Sequence, residues 1–186
     1  MSSIKSTITT KSYSDLKIDR IMNIDFEDIW SALSEYRYHY GPIQHIDSDF
    51  ASTLNILDLT YIKCKSITVR IFDPKIESRT SFDLHFHLDG QRMNGVHSNY
   101  KMIYWIDGDD WEELGTKFAY NSYQANMEVR YDSKMMLDIN RQMEELGDEG
   151  IAIRPNTLYS YDSTFVHCGR RYKGNSRRIF IRLNDC

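Results

Sequence analysis

The chain has 186 residues, 41% of them hydrophobic and 27% charged, with a formal net charge of -4. That length suits one domain with a sizeable buried core, and the composition excludes a disordered chain. The mild acidity argues against a nucleic-acid binder, whose backbone contacts favour a basic surface, and no apolar run reaches the roughly 18 residues of a membrane span.

The first residues, 1–11, are polar and rich in Ser and Thr, with no apolar stretch for export, and read as a loosely tethered end. A helix is predicted over 24–36, where Phe26, Ile29, Trp30, Leu33 and Tyr36 recur at helical spacing behind Asp25 as N-cap. Residues 38–52 read as loop, broken by Gly41-Pro42. Strands then dominate. Residues 66–72 are rich in β-branched side chains. In 81–88, Phe82, Leu84, Phe86 and Leu88 alternate with Asp83, His85 and His87. A strand over 100–106 leads to a turn at 107–110 and a return strand over 116–120. A second helix is predicted over 133–146, with Met136, Ile139, Met143 and Leu146 as its apolar stripe and Gly147 as its C-cap. Strands over 157–167 and 178–183 follow. Strands in series with two helices predict a mainly β chain, a sandwich or barrel with helical support. All 186 residues read as a single domain.

Three cysteines, Cys64, Cys168 and Cys186, are an odd number with no C-x-x-C spacing. This argues against a disulfide framework or a cysteine zinc site, and points to reduced thiols in a cytoplasmic protein.

Among six histidines, His87 stands out because Asp89 follows two residues later. Residues two apart at a strand end share a face, so both side chains reach one ion. A distal histidine such as His167 completes a facial triad when the sheet folds over. Two imidazoles and a carboxylate leave positions open, which suits iron(II). His45-Ile46-Asp47 is a second match to the same short pattern. His85 shares a face with His87 but has no acid two residues on.

The segment from His167 to Leu183 carries Arg178 eleven residues after the histidine and Arg182 fifteen after. Here the sequence resembles the 2-oxoglutarate/iron(II) dioxygenase superfamily, whose distal histidine is followed by a hairpin and an arginine-bearing strand. The likeness extends over residues 80–183. It implies a double-stranded β-helix, or jelly-roll, core. It implies that His87, Asp89 and His167 hold Fe(II), and that Arg178 pairs with the far carboxylate of 2-oxoglutarate, with Arg182 as the alternative. An arginine fork suits a carboxylate because it donates two parallel hydrogen bonds and keeps its charge. A tyrosine on the strand after His-x-Asp often binds the same cosubstrate, which implies Tyr104 or, in another register, Tyr100. The resemblance further implies O2 as cosubstrate, hydroxylation of a C–H bond, and succinate and CO2 as coproducts. The segment 111–115 lacks the glycine pair common in the family, and the helix over 133–146 is an insertion relative to its shortest members.

The prime substrate is expected to be a peptide side chain or a small metabolite. Gln44, His45 and Asp47 in the 38–52 loop, together with Trp111, are candidate substrate contacts; that loop and the second helix are candidate covers for the site. Two rival readings remain: a cupin-like jelly-roll metal-binding module, and a phosphate- or nucleic-acid-binding protein that uses the basic run Arg170, Arg171, Lys173, Arg177, Arg178 and Arg182.

Overall fold

Alternation in one strand sets the architecture. In β11 (Arg178–Asn184), Ile179, Ile181 and Leu183 are buried in one hydrophobic cluster, while Phe180 packs against another. A strand with both faces covered must sit inside a layered molecule. In the computed structural model, residues 6–33, 43–44, 58–59, 62–64, 66–72, 85–89, 99–127, 133–169 and 176–186 are described.

The strands in chain order are β1 (Ser6–Thr9), β2 (Lys17–Ile21), β3 (Ile43–Gln44), β4 (Ser66–Phe72), β5 (Asn99–Ile106), β6 (Lys117–Phe118), β7 (Gln124–Met127), β8 (Ile151–Ala152), β9 (Thr157–Asp162), β10 (His167–Cys168) and β11. The helices are α1 (Phe26–Ala32), α2 (Trp111–Leu114) and α3 (Ser133–Leu146). The chain is mainly β. A six-stranded antiparallel sheet has the order β2-β9-β5-β11-β4-β3. A smaller antiparallel sheet has the order β10-β6-β8, and β1 pairs separately with β7. His87 forms an antiparallel bridge to His167, placing its segment beside β10.

Helix α1 covers one face of the large sheet. Its Ile29 and Trp30, with Leu33 at its C-cap, pack with Ile67, Val69, Ile103, Trp105 and Ile181. Each such side chain stabilises the fold by about 1.5–3 kcal/mol relative to exposure. The opposite face carries Tyr100, Met102, Tyr104, Tyr159 and Tyr161, which meet Phe118 of the small sheet. Helix α3 covers the outer side of the small sheet, with Met135, Ile139 and Met143 against Leu88, Ala119 and Val166. The layers are therefore helix, sheet, sheet, helix, consistent with a β-sandwich.

Several sequence expectations need correction. Residues 6–9 are not a loose end: they form β1, and Lys11 bridges Phe165. The stripe of α3 keeps Ile139 and Met143, but Met135 rather than Met136 is buried and Leu146 is 64% exposed, because the helix meets the sheet through an i, i+4, i+8 row. The strand expected over 157–167 is two strands. Asp162 ends the first, accepting from the Phe165 amide on its backbone oxygen (3.1 Å) and from the Thr164 amide on its carboxylate (2.9 Å). The chain then crosses from the large sheet to the small one. The turn expected at 107–110 continues into the short helix α2. Much of the 38–52 loop, including His45 and Asp47, and residues 81–84 of the expected 81–88 strand lie outside the described residues.

Candidate metal centre

His87 and His167 are a hydrogen-bonded antiparallel pair: each amide donates to the other's carbonyl, at 2.9 and 3.0 Å. Paired residues point to the same face, and the two imidazole rings lie 4.7 Å apart between the sheets. Leu88 and Val166, one residue along, face the α3 side instead. Period-two alternation then returns Asp89 to the side of His87.

Both rings are held the same way. Nδ1 of His87 lies 2.8 Å from the His85 carbonyl oxygen, and Nδ1 of His167 lies 3.1 Å from that of Phe165. A carbonyl oxygen only accepts, so each Nδ1 donates and Nε2 is the atom that would ligate a metal. This backbone support is the kind that fixes ring orientation around metals. His167 also stacks on Phe118 and meets the edge of Tyr161, with centroids at 5.4 and 5.6 Å.

Asp89 Oδ2 lies 3.5 Å from His167 Nε2 and accepts from the Tyr161 hydroxyl at 3.0 Å. Its other oxygen, Oδ1, accepts from the Arg182 guanidinium. Burial works to raise the Asp89 carboxyl, but His167, Arg182 and His87 outweigh it and hold it at about 2. Burial pushes His167 down to about 4 against the pull of Asp89. At neutral pH the carboxylate is therefore ionised and the His167 ring neutral, the forms that ligate a metal. Burial, then the Asp89 charge, raises the Tyr161 hydroxyl, so it remains a donor. Ligand atoms of His87, Asp89 and His167 all lie within 4.8 Å of one another and could hold one metal ion.

The two arginines expected to share a strand face have separate surroundings. Arg182 sits beside the triad: its guanidinium lies over the Tyr100 ring at 5.0 Å, and its Nε donates to Asn184 Oδ1 at 2.8 Å. Arg178 is 3% exposed, lies over the Tyr104 ring at 5.0 Å, and donates to the Thr116 hydroxyl. Tyr104 turns its own hydroxyl to the Ile153 carbonyl. Tyr100 therefore belongs with the triad, and Tyr104 with Arg178.

Trp111 packs against the cluster that contains Tyr104. Gln44 lies in β3, at the edge of the large sheet. His45 and Asp47 lie outside the described residues, and His85 is exposed, offering its carbonyl rather than its ring. The sequence pattern does not single out Tyr161 or Thr116. The one signal for Tyr161 is alternation in β9, which puts it on the inner face with Tyr159. An open cavity of about 290 Å³ adjoins this end of the large sheet, lined by Tyr100 and Tyr161 with Lys11, Lys101, Asp162 and Phe165.

No family model matches the chain, and neither the curated proteins nor the solved structures give a match.

Proposed function

We propose that this chain is an iron(II)- and 2-oxoglutarate-dependent oxygenase on a double-stranded β-helix core, and that it hydroxylates a C–H bond. The observation that carries the reading is the convergence of His87, Asp89 and His167 on one face, with Arg178 on the same sandwich interior. The strand order supports the jelly-roll form. The chain runs from β4 in the large sheet to the His87 segment beside the small one, then to β5, β6, β8, β9, β10 and β11. The central order β9-β5-β11-β4 faces the order His87 segment-β10-β6-β8, as two antiparallel strands wound together would.

The donor set fits iron(II): two imidazole nitrogens and one carboxylate, with positions left for small ligands. With 2-oxoglutarate and O2, such a centre supplies oxidative decarboxylation to succinate and CO2, coupled to hydroxylation. The chain's own residues bind and orient. His85 and Phe165 carbonyls aim the two rings. Arg182 and Tyr161 fix the Asp89 carboxylate. Arg178 and Thr116 form a buried donor pair for the far carboxylate of the cosubstrate. Arg178 and Arg182 are four residues apart on one face, about 13 Å along the strand. A five-carbon diacid and an extended arginine side chain together cover that span.

A peptide side chain or a small metabolite is the substrate class we favour. The basic-run alternative gains no support from its described members. Arg177 is ion-paired with Asp107 and Glu27, Arg182 with Asp89, and Arg178 is buried on Tyr104 and Thr116.

Anaerobic titration with Fe(II), followed by 2-oxoglutarate, tests the reading. One equivalent of iron, a visible charge-transfer band on adding 2-oxoglutarate, and succinate formation on admitting O2 are expected. Iron binding without any response to 2-oxoglutarate would instead support a cupin-like metal-binding module, and no iron retention would remove both.

A further inference from the structure

Strand β11 pairs with β4 in continuous antiparallel register, and its last pair is Asn184 with Ser66. Cys64 lies two residues before β4 and Cys186 two residues after β11. Asp185, between Asn184 and Cys186, takes a left-handed backbone with φ 56°. This interrupts the alternation and lets Cys186 join the cluster that contains Leu183. Cys64 packs against the same cluster. The two thiols interact directly with each other. The third thiol, Cys168, is in β10 of the small sheet and is 2% exposed.

We propose that Cys64 and Cys186 form a reversible dithiol–disulfide site, oxidised by a small-molecule disulfide such as glutathione disulfide. One thiolate attacks the small disulfide, expels one glutathione and leaves a mixed disulfide. The second thiolate then attacks the protein sulfur and expels the other glutathione. Two protein thiols lose two electrons and two protons, and one glutathione disulfide becomes two glutathiones.

The site lies two residues beyond Asn184, which accepts the hydrogen bond from Arg182 Nε. Its closure ties the end of β11 that holds Arg182 to the segment entering β4. Exchange is slow at neutral pH. Burial, then the neighbouring Cys64, pushes the Cys186 thiol up to about 12, and burial also raises Cys64. Below those values the thiolate fraction, and with it the exchange rate, grows ~tenfold per pH unit.

The test uses the full chain, reduced and then treated with glutathione disulfide at alkaline pH, followed by peptide mass mapping without reductant. A cross-linked peptide pair containing Cys64 and Cys186, lighter by two hydrogens, is expected in the parent chain and in Cys168→Ser. Cys64→Ser should carry a glutathione adduct at Cys186 instead. The oxidised parent should melt several degrees above its reduced form, because the cross-link constrains the unfolded chain. The same treatment in denaturant should scatter the pairings. Separate adducts at both positions, linkage through Cys168, or no reaction of the folded chain would overturn the proposal.

Discussion

Asp89 is held by Arg182 through the carboxylate oxygen that does not face His167. The arginine is thus a neighbour of the candidate metal triad rather than of Arg178, which we propose binds the cosubstrate. The two arginines, similar in sequence, should fail in different ways when removed.

Arg182→Ala should lower metal affinity about 10–100-fold, the usual loss when a ligand's supporting partner goes. It should leave the apparent KM for 2-oxoglutarate nearly unchanged once iron is saturating. Arg178→Ala should raise that KM sharply while metal affinity holds, and Arg178→Lys should recover only part of it because the fork is lost. Iron titration and 2-oxoglutarate saturation curves on each variant separate the two roles. Exchange of the two phenotypes would move the cosubstrate site by four residues.

His87→Ala, His167→Ala and Asp89→Ala should each abolish stoichiometric metal binding, measured by metal analysis after gel filtration. Asp89→Ala should also destabilise the apo chain by about 3–5 kcal/mol, since it leaves the Arg182 charge enclosed without its partner. His167→Ala removes a neutral ring and should cost less. A thermal melt in the presence of chelator reads this difference apart from metal loss.

Much of the site was legible in the sequence because its signals are local. His87 and Asp89 two apart, and Arg178 and Arg182 four apart, share faces wherever a strand forms. The cross-chain partners were not legible. Tyr161 reaches Asp89 over 72 positions and Arg178 reaches Thr116 over 62. No periodicity encodes such pairings, which depend on how two sheets stack. Of the helices, α3 was read at its bounds and Ile139 and Met143 are buried as expected, but Met135 takes the place of Met136, since the two are equally apolar and only the small sheet chooses between them. Strand β1 was missed because a polar Ser/Thr segment carries no alternation, and its pairing comes from β7.

Asp148 organises the turn after α3. Its carboxylate accepts from the Tyr123 hydroxyl, from the amides of Asn121 and Tyr120 at 2.9 and 3.1 Å, and from Gly150 at 2.9 Å. Burial raises its carboxyl, but these donors outweigh it and the net shift is below 3.8. A depressed folded value means stability that is present above the unfolded value and lost as pH falls through the folded one. Asp148→Asn should lower the melting temperature at pH 7, and the deficit should shrink as the buffer is taken below about pH 4. A deficit independent of pH would mean that the side chain acts through packing alone.

The last prediction concerns Gly115, between α2 and β6. Its backbone is ordinary, so conformational freedom is not the reason for glycine. The reason is space. A Cβ there would fall against the Trp111 carbonyl oxygen and within 2.5 Å of the Tyr104 hydroxyl. The carbonyl is backbone and cannot rotate away, because it accepts the Gly115 amide at 2.7 Å. Tyr104 is fully buried and its hydroxyl is engaged by Ile153. Gly115→Ala should therefore overpack the site and cost about 1–3 kcal/mol in a denaturant titration. Because the ring displaced is the one under Arg178, and Thr116 is the next residue, the loss should also reach the Arg178–Thr116 pair proposed to bind 2-oxoglutarate. The variant should bind metal at the triad with near-parent affinity while its KM for 2-oxoglutarate rises. If stability falls and both bindings are unchanged, Tyr104 is core alone and the contact proposed for Arg178 does not depend on it.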